Sequence, residues 1–151
     1  MSQSLSWILV HIIFSTKDRF PFLVDIELRK RVHAYLARVF CEHESPALEI
    51  GGVSDHVHIL CLLSRSYSVS EIIRKAKSNS SSWVKAQGIK YHKFSWQAGY
   101  GAFSIDQSHA ASVKKYIQYQ EEHHRIRTFQ EEYLGILEQY QVAYDERYLW
   151  T

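Results

Sequence analysis

The sequence predicts an α+β domain whose four-stranded antiparallel sheet carries two helices on one face. Three observations carry that prediction. Segments of strand length recur at residues 7–14, 47–53, 56–63 and 102–105. Two amphipathic stretches with helix-start signals separate the first segment from the second and the third from the fourth. A chain of 151 residues with 46% hydrophobic and 23% charged side chains supplies the core of one domain.

Trp7 to Phe14 reads WILVHIIF, a nearly continuous apolar run rich in branched residues, and it stops at the polar, proline-containing segment 15–21. That is the pattern of a central strand. Asp25 can cap a helix in which Ile26, Val32, Tyr35, Leu36, Val39 and Phe40 fall near i, i+3, i+4, i+7 spacing, ending near His43 ahead of Pro46. Ala47 to Val53 and His56 to Leu63 form a hairpin joined at Ser54-Asp55, and Gly51-Gly52 marks a bulge or a close backbone approach. Ser68 and Glu71 have capping-box spacing and open a helix through Ile72, Ile73 and Ala76 to Trp83 and Val84. Gly88, Gly99 and Gly101 bracket an aromatic-rich loop, after which Ala102 to Ile105 makes the fourth strand. The pattern is helical again from about Ser108 to Arg127. Thr128 and Glu131 give a second capping box for a helix to about Gln141, with Leu134, Leu137 and Val142 on one side. The tail Tyr148-Leu149-Trp150 is apolar enough to need a docking surface.

The first six elements match a ferredoxin-like or RRM-like arrangement, with C-terminal helices appended and the second sheet face left free for function or assembly. With no repeat or linker, residues 1–151 read as one domain, with a core over about 5–127 and a C-terminal helix and tail over about 128–151.

The longest uninterrupted apolar run, Ile59 to Leu63, falls far short of the roughly 20 residues of a membrane span, and no basic residue precedes the first apolar segment. A soluble, cytoplasmic protein without a signal peptide is expected. Cys41 and Cys61 sit in periodic apolar segments without metal-type spacing and read as buried, reduced thiols. Nine histidines are a surplus of imidazoles, some of them candidate ligands.

His56 and His58 flank Val57 at the start of a strand, so both imidazoles leave the same face and can share a divalent metal. Tyr116 and Gln120 are four apart on a predicted helix and share one of its faces. Two imidazoles and an amide oxygen leave positions open for phosphate oxygens and water, and a phenol beside such a centre suits attack on a phosphodiester. Spacing alone also allows Tyr116 to be a core tyrosine beside Val113 and Ile117, and Tyr119, His123 and His124 compete for a role in the same region.

These residues resemble the single-tyrosine HUH transposases of small insertion sequences, IS200-like and REP-associated. The resemblance spans nearly the whole chain. It rests on Phe14-Ser15-Thr16-Lys17, Asp55-His56-Val57-His58, the Ser-rich basic helix ending in Trp83, the run from Trp96 to Ser104, and Tyr116-Ile117 followed by Gln120 to His124. It implies an enzyme that binds single-stranded DNA with hairpin or palindromic ends and breaks and rejoins one strand without ATP. His56, His58 and Gln120 then match the ligands of Mg²⁺ or Mn²⁺, and Tyr116 matches the nucleophile that forms a 5′-phosphotyrosine. A homodimer with joined sheets is implied as well, in which the tyrosine helix of one subunit can complete the site of the other. Two other readings stay open: a domesticated palindrome-binding protein with little or no strand transfer, and a small metal-dependent hydrolase using His56 and His58.

The formal charge of +2 is uninformative until divided along the chain. Residues 65–115 carry 9 basic and 2 acidic side chains, or +7, whereas residues 116–151 carry 3 and 7, or −4. The basic segment lies between the histidine strand and the tyrosine, where a DNA strand would be expected to track. Lys17, Arg19, Arg74, Lys75, Lys77, Lys85, Lys114 and Lys115 are the candidate phosphate contacts, and Trp96 the candidate stacking residue, with Tyr91, Phe94 and Tyr100 as further aromatics in the same segment.

Overall fold

The computed structural model describes residues 2–151. Four strands, β1 (Leu9–Ser15), β2 (Ala47–Gly52), β3 (His56–Leu62) and β4 (Gly101–Ile105), form one antiparallel sheet in the order β2-β3-β1-β4. The apolar run at the N-terminus becomes β1, paired on both sides as its lack of polar alternation requires. Its register with β3 sets Ile13 opposite His58 and Ser15 opposite His56.

Helices α1 (Ile26–Glu42) and α2 (Val69–Lys85) cover one face. Asp25 caps α1 by accepting from the amides of Glu27 and Leu28, and Ser68 with Glu71 completes a reciprocal capping box on α2. Leu28, Val32, Leu36, Val39 and Phe40 of α1, with Ile72, Ile73, Ala76 and Val84 of α2, pack on the strand residues Val10, Ile12, Phe14, Val57, Ile59 and Cys61. Burial of each large side chain contributes about 1.5–3 kcal/mol relative to exposure, so this layer dominates stability.

The second face, expected to be free, is covered by the chain's own C-terminal third. It carries α3 (Ala110–Gln118), α4 (Gln120–His124) and α5 (Phe129–Gln139). The single helix expected over 108–127 breaks at Tyr119, whose φ/ψ of −101°/28° leaves the helical basin. A Cβ on Gly51 would lie 2.2 Å from the carbonyl oxygen of Ile117, so the glycine is what allows α3 to seat directly on β2. The ladder irregularity in β2 falls instead at Ala47–Glu49.

The buried stripe of α5 is Phe129, Glu132, Tyr133 and Leu137, where Leu134, Leu137 and Val142 were expected; Val142 is exposed. Thr128 caps α5 by accepting from the Glu131 amide, and the reciprocal half of that capping box is not formed. After a short final helix, α6 (Glu146–Leu149), Trp150 docks against Phe129 and Tyr133. Cys61 is buried as expected, but Cys41 is exposed because it falls on the outer face of α1. Among the described residues no helix is long and apolar enough to cross a membrane.

Candidate active site

Alternation along β3 sends Val57, Ile59 and Cys61 toward α1 and α2, and sends His56 and His58 under α3–α5, where both are fully buried. The break at Tyr119 re-aims the chain so that Gln120 and His124, one turn apart on α4, point at them. Gln120 Oε1 lies 3.1 Å from His56 Nε2 and 3.1 Å from His124 Nε2. Tyr116 rests against His58 at 5.7 Å between ring centroids and stacks on His123 at 4.6 Å. Tyr119 sits at the junction of α3 and α4, half exposed and away from the histidines.

The centre of the cluster is a residue that no motif suggested. Glu132, only 1% exposed, enters from α5 and places Oε1 at 3.0 Å from His58 Nε2, 3.2 Å from His124 Nε2 and 3.4 Å from His56 Nε2. Its Oε2 accepts hydrogen bonds from the Tyr116 hydroxyl and from Gln120 Nε2. A signal for Glu132 exists in the sequence: it occupies an apolar-stripe position of α5, i+3 from Phe129. His11 was also missed, although it interrupts an apolar strand. Its Nε2 lies 2.9 Å from His58 Nδ1.

Electrostatics follow from burying one carboxylate among imidazoles. Burial acts against the charge of Glu132, but hydrogen bonds from His124, His56 and His58 outweigh it and hold the carboxyl well below the usual range. Burial likewise opposes a charged His56, yet hydrogen bonds to Asp55 and Glu132 push it up to about 9. His58 falls to about 4 and His11 to about 3, both chiefly through burial. Burial, reinforced by the Glu132 charge, raises Tyr116 and keeps its phenol protonated.

Two cavities flank the cluster. One of about 700 Å³ is lined by Asp55, His124, Arg125, Arg127 and Phe129, and one of about 340 Å³ by His11, Tyr116, Arg127, Glu132 and Tyr140. Arg127 borders both, and Arg29 of α1 joins Arg125 and Arg127 in lining the first. The +7 segment is placed differently from expectation. Arg74, Lys75 and Lys85 are exposed on α2, behind the sheet; Lys17 and Lys115 are exposed and Lys114 is half-buried.

Three of the candidate DNA contacts are engaged internally. Trp96 is 6% exposed, donates its indole N–H to Ser80 Oγ at 2.9 Å and packs edge-on against Phe14 and Phe94, which leaves no face for a base. Lys77 turns inward and donates to the carbonyls of Gln97 and Gly99 at 2.8 and 2.7 Å; burial lowers it to about 8. Arg19 lies over the Trp150 ring at 5.5 Å.

The four-stranded sheet with its helices is a fold shared with transposases of known structure. Two solved structures share the fold. A protein assigned as a transposase from Deinococcus radiodurans R1 superposes with a TM-score of 0.61 at 17% identity, over 80% of this chain and 96% of its own. A REP-associated tyrosine transposase bound to a REP hairpin superposes with a TM-score of 0.60 at 13% identity, over 82% and 74%. No curated protein matches the sequence. The chain belongs to the IS200-like transposase family, whose model matches residues 4–120. His124 and Glu132 lie beyond that matched segment.

Proposed function

We propose that this transposase cleaves and rejoins hairpin-containing single-stranded DNA in the cytoplasm through Tyr116, with a divalent ion, Mg²⁺ or Mn²⁺, held by His56, His58 and Gln120. The observation that carries the reading is that one chain brings Tyr116 and Gln120 of the α3–α4 unit onto the His56–His58 pair. The donor set fits a cation: among the described residues, ligand atoms of His56, His58, His124 and Glu132 all lie within 4.8 Å of one another. Such an ion would polarise a phosphodiester oxygen as a Lewis acid.

The chain's own groups do the remaining work. The Tyr116 hydroxyl gives its proton to the Glu132 carboxylate that holds it and its oxygen attacks phosphorus, the tyrosyl O–P bond forms as the P–O3′ bond breaks, and the departing 3′-oxygen takes up a proton to become the free 3′-hydroxyl. Attack of a 3′-hydroxyl on the phosphotyrosine reverses the step and rejoins the strand. Asp55 orients His56 through a 2.8 Å contact at Nδ1. Arg127, bordering both cavities, is placed to meet the phosphate backbone. Hairpin DNA as the substrate class draws support from the REP hairpin held by the fold neighbour. A homodimer joined through the sheets belongs to the same proposal, and light scattering tests it.

Incubation with a hairpin-bearing single strand and Mn²⁺, resolved on a denaturing gel, should give a covalent adduct that Tyr116→Phe abolishes. Undiminished adduct in that variant would overturn the assignment. One observation favours a second reading, a palindrome-binding protein with little strand transfer: the Tyr116 hydroxyl is engaged by Glu132. Hairpin binding without cleavage under any divalent ion would select it.

A further inference from the structure

We infer that His124 and Glu132 complete the metal centre, making it a three-histidine, one-carboxylate site that binds a zinc-type transition ion more tightly than the Mg²⁺ or Mn²⁺ of the proposed reaction. The inference rests on the reading of His56 and His58 as metal ligands and extends it to residues outside the family-matched segment.

Each of the three imidazoles has a polar partner at Nδ1. His56 Nδ1 meets the Asp55 carboxylate at 2.8 Å, and His124 Nδ1 meets the Arg127 carbonyl at 2.9 Å. Both partners accept, so both Nδ1 atoms carry a proton, and both Nε2 atoms become ligands when a cation displaces the proton they share with the cluster's oxygens. His58 Nδ1 is engaged by His11 Nε2 at 2.9 Å, which leaves its Nε2 for the cluster as well. Those Nε2 atoms converge on oxygens: His56 and His124 each face both Gln120 Oε1 and Glu132 Oε1 at 3.1–3.4 Å, and His58 faces Glu132 Oε1 at 3.0 Å. In the metal-free protein ring protons bridge these contacts as hydrogen bonds, and a cation can replace those protons among the same oxygens and nitrogens.

The spacing suits that cation. Ligands about 2.0–2.1 Å from a tetrahedral zinc ion stand about 3.3–3.4 Å from one another. The nitrogen-to-carboxylate separations here are 3.0–3.4 Å, and since the four ligand atoms lie within 4.8 Å of one another, the imidazoles close in further on the ion. Imidazole-rich donor sets favour zinc-type ions, whereas Mg²⁺ prefers an octahedron of oxygens and retains waters. The second oxygen of Glu132 holds the Tyr116 hydroxyl, so the same carboxylate ties the nucleophile to the centre.

Calorimetric titration of the full-length, chelator-stripped protein with Zn²⁺, Co²⁺, Mn²⁺ and Mg²⁺ tests the inference. Glu132→Gln and His124→Ala should each weaken Zn²⁺ binding at least tenfold and leave Mg²⁺ binding nearly unchanged. Unaltered Zn²⁺ affinity in both variants overturns the proposal. The wild-type Co²⁺ absorption spectrum decides independently of variant folding: intense visible bands of a low-coordinate ion support it, and the weak bands of an octahedral ion overturn it. A tyrosine–DNA adduct that forms at full yield in Glu132→Gln and His124→Ala, with unchanged Zn²⁺ affinity, would sink this inference and leave the transposase reading standing.

Discussion

Glu132 Oε1 and His58 Nε2, 74 residues apart in the chain, lie 3.0 Å apart in the buried centre of the site. Neither residue is near the surface, and burial without this pairing would cost several kcal/mol for the carboxylate alone. The contact joins α5 to β3, so the helix that closes the second face of the sheet also supplies the site's anion. Four expected outcomes follow from this arrangement and its surroundings.

The metal-free protein is expected to be most stable near its histidines' ordinary value of 6.5. Burial opposes the charge of His56, but Asp55 and Glu132 push it up to about 9. A raised folded value stabilises fully below pH 6.5 and loses its contribution as pH rises through about 9. His58 and His11, lowered to about 4 and about 3 chiefly by burial, act in the other direction. The unfolded chain takes up protons below 6.5 that the folded chain refuses, so stability falls there too. Urea midpoints measured in chelator should peak between the two limbs, and a midpoint still rising above pH 6.5 would contradict the His56 assignment.

Gly51→Ala should unseat α3. Its Cβ would meet the Ile117 carbonyl at 2.2 Å, a backbone atom that moves only with the helix. Overpacking of this kind costs about 1–3 kcal/mol. Chemical denaturation should show that loss, and adduct yield should drop further than stability alone explains because Tyr116 and Gln120 shift with α3.

Lys77 and Lys75 should separate structure from DNA binding. Lys77→Met loses two charged hydrogen bonds to the loop carbonyls and should destabilise by about 1.5–3 kcal/mol per bond at most, with little change in the salt dependence of hairpin binding. If Lys75, exposed on α2, contacts DNA, Lys75→Ala should leave stability within about 0.5 kcal/mol and lower the salt slope by about 0.7–0.9. Matched slopes for wild type and Lys75→Ala would place the DNA on the other face, beside Arg127.

Trp150→Ala should loosen α5. Its ring packs at 6.0 Å on Tyr133 and 6.4 Å on Phe129, and Arg19 covers it. Hydrogen exchange in α5 should accelerate selectively, and Zn²⁺ affinity should fall through Glu132. Unchanged exchange there would show that the tail contributes nothing to holding the helix.

Much of the fold was legible because it is written in local periodicity. The apolar run WILVHIIF marks the doubly paired strand, which begins at Leu9, Asp25 and Ser68 mark the helix starts where they occur, and the sheet order fits the arrangement that the element order predicts. Part of the site was legible for the same reason. Alternation puts His56 and His58 on one face, and i, i+4 spacing aligns Tyr116 with Gln120. Trp96 and Lys77 were read by chemical type, and type does not say which way a side chain turns; both turn to partners within the protein.

By itself, then, the sequence determined the strands, the first two helices with their buried faces, and the histidine–tyrosine–glutamine pattern, since each depends on neighbours a few residues away. Only the tertiary structure decided that the free face would be covered, that Glu132 and His124 would meet His56 and His58, and that the basic α2 would lie behind the sheet. Those outcomes depend on how helices distant in sequence dock on a twisted sheet, and docking is set by packing over a whole surface, which no local spacing encodes.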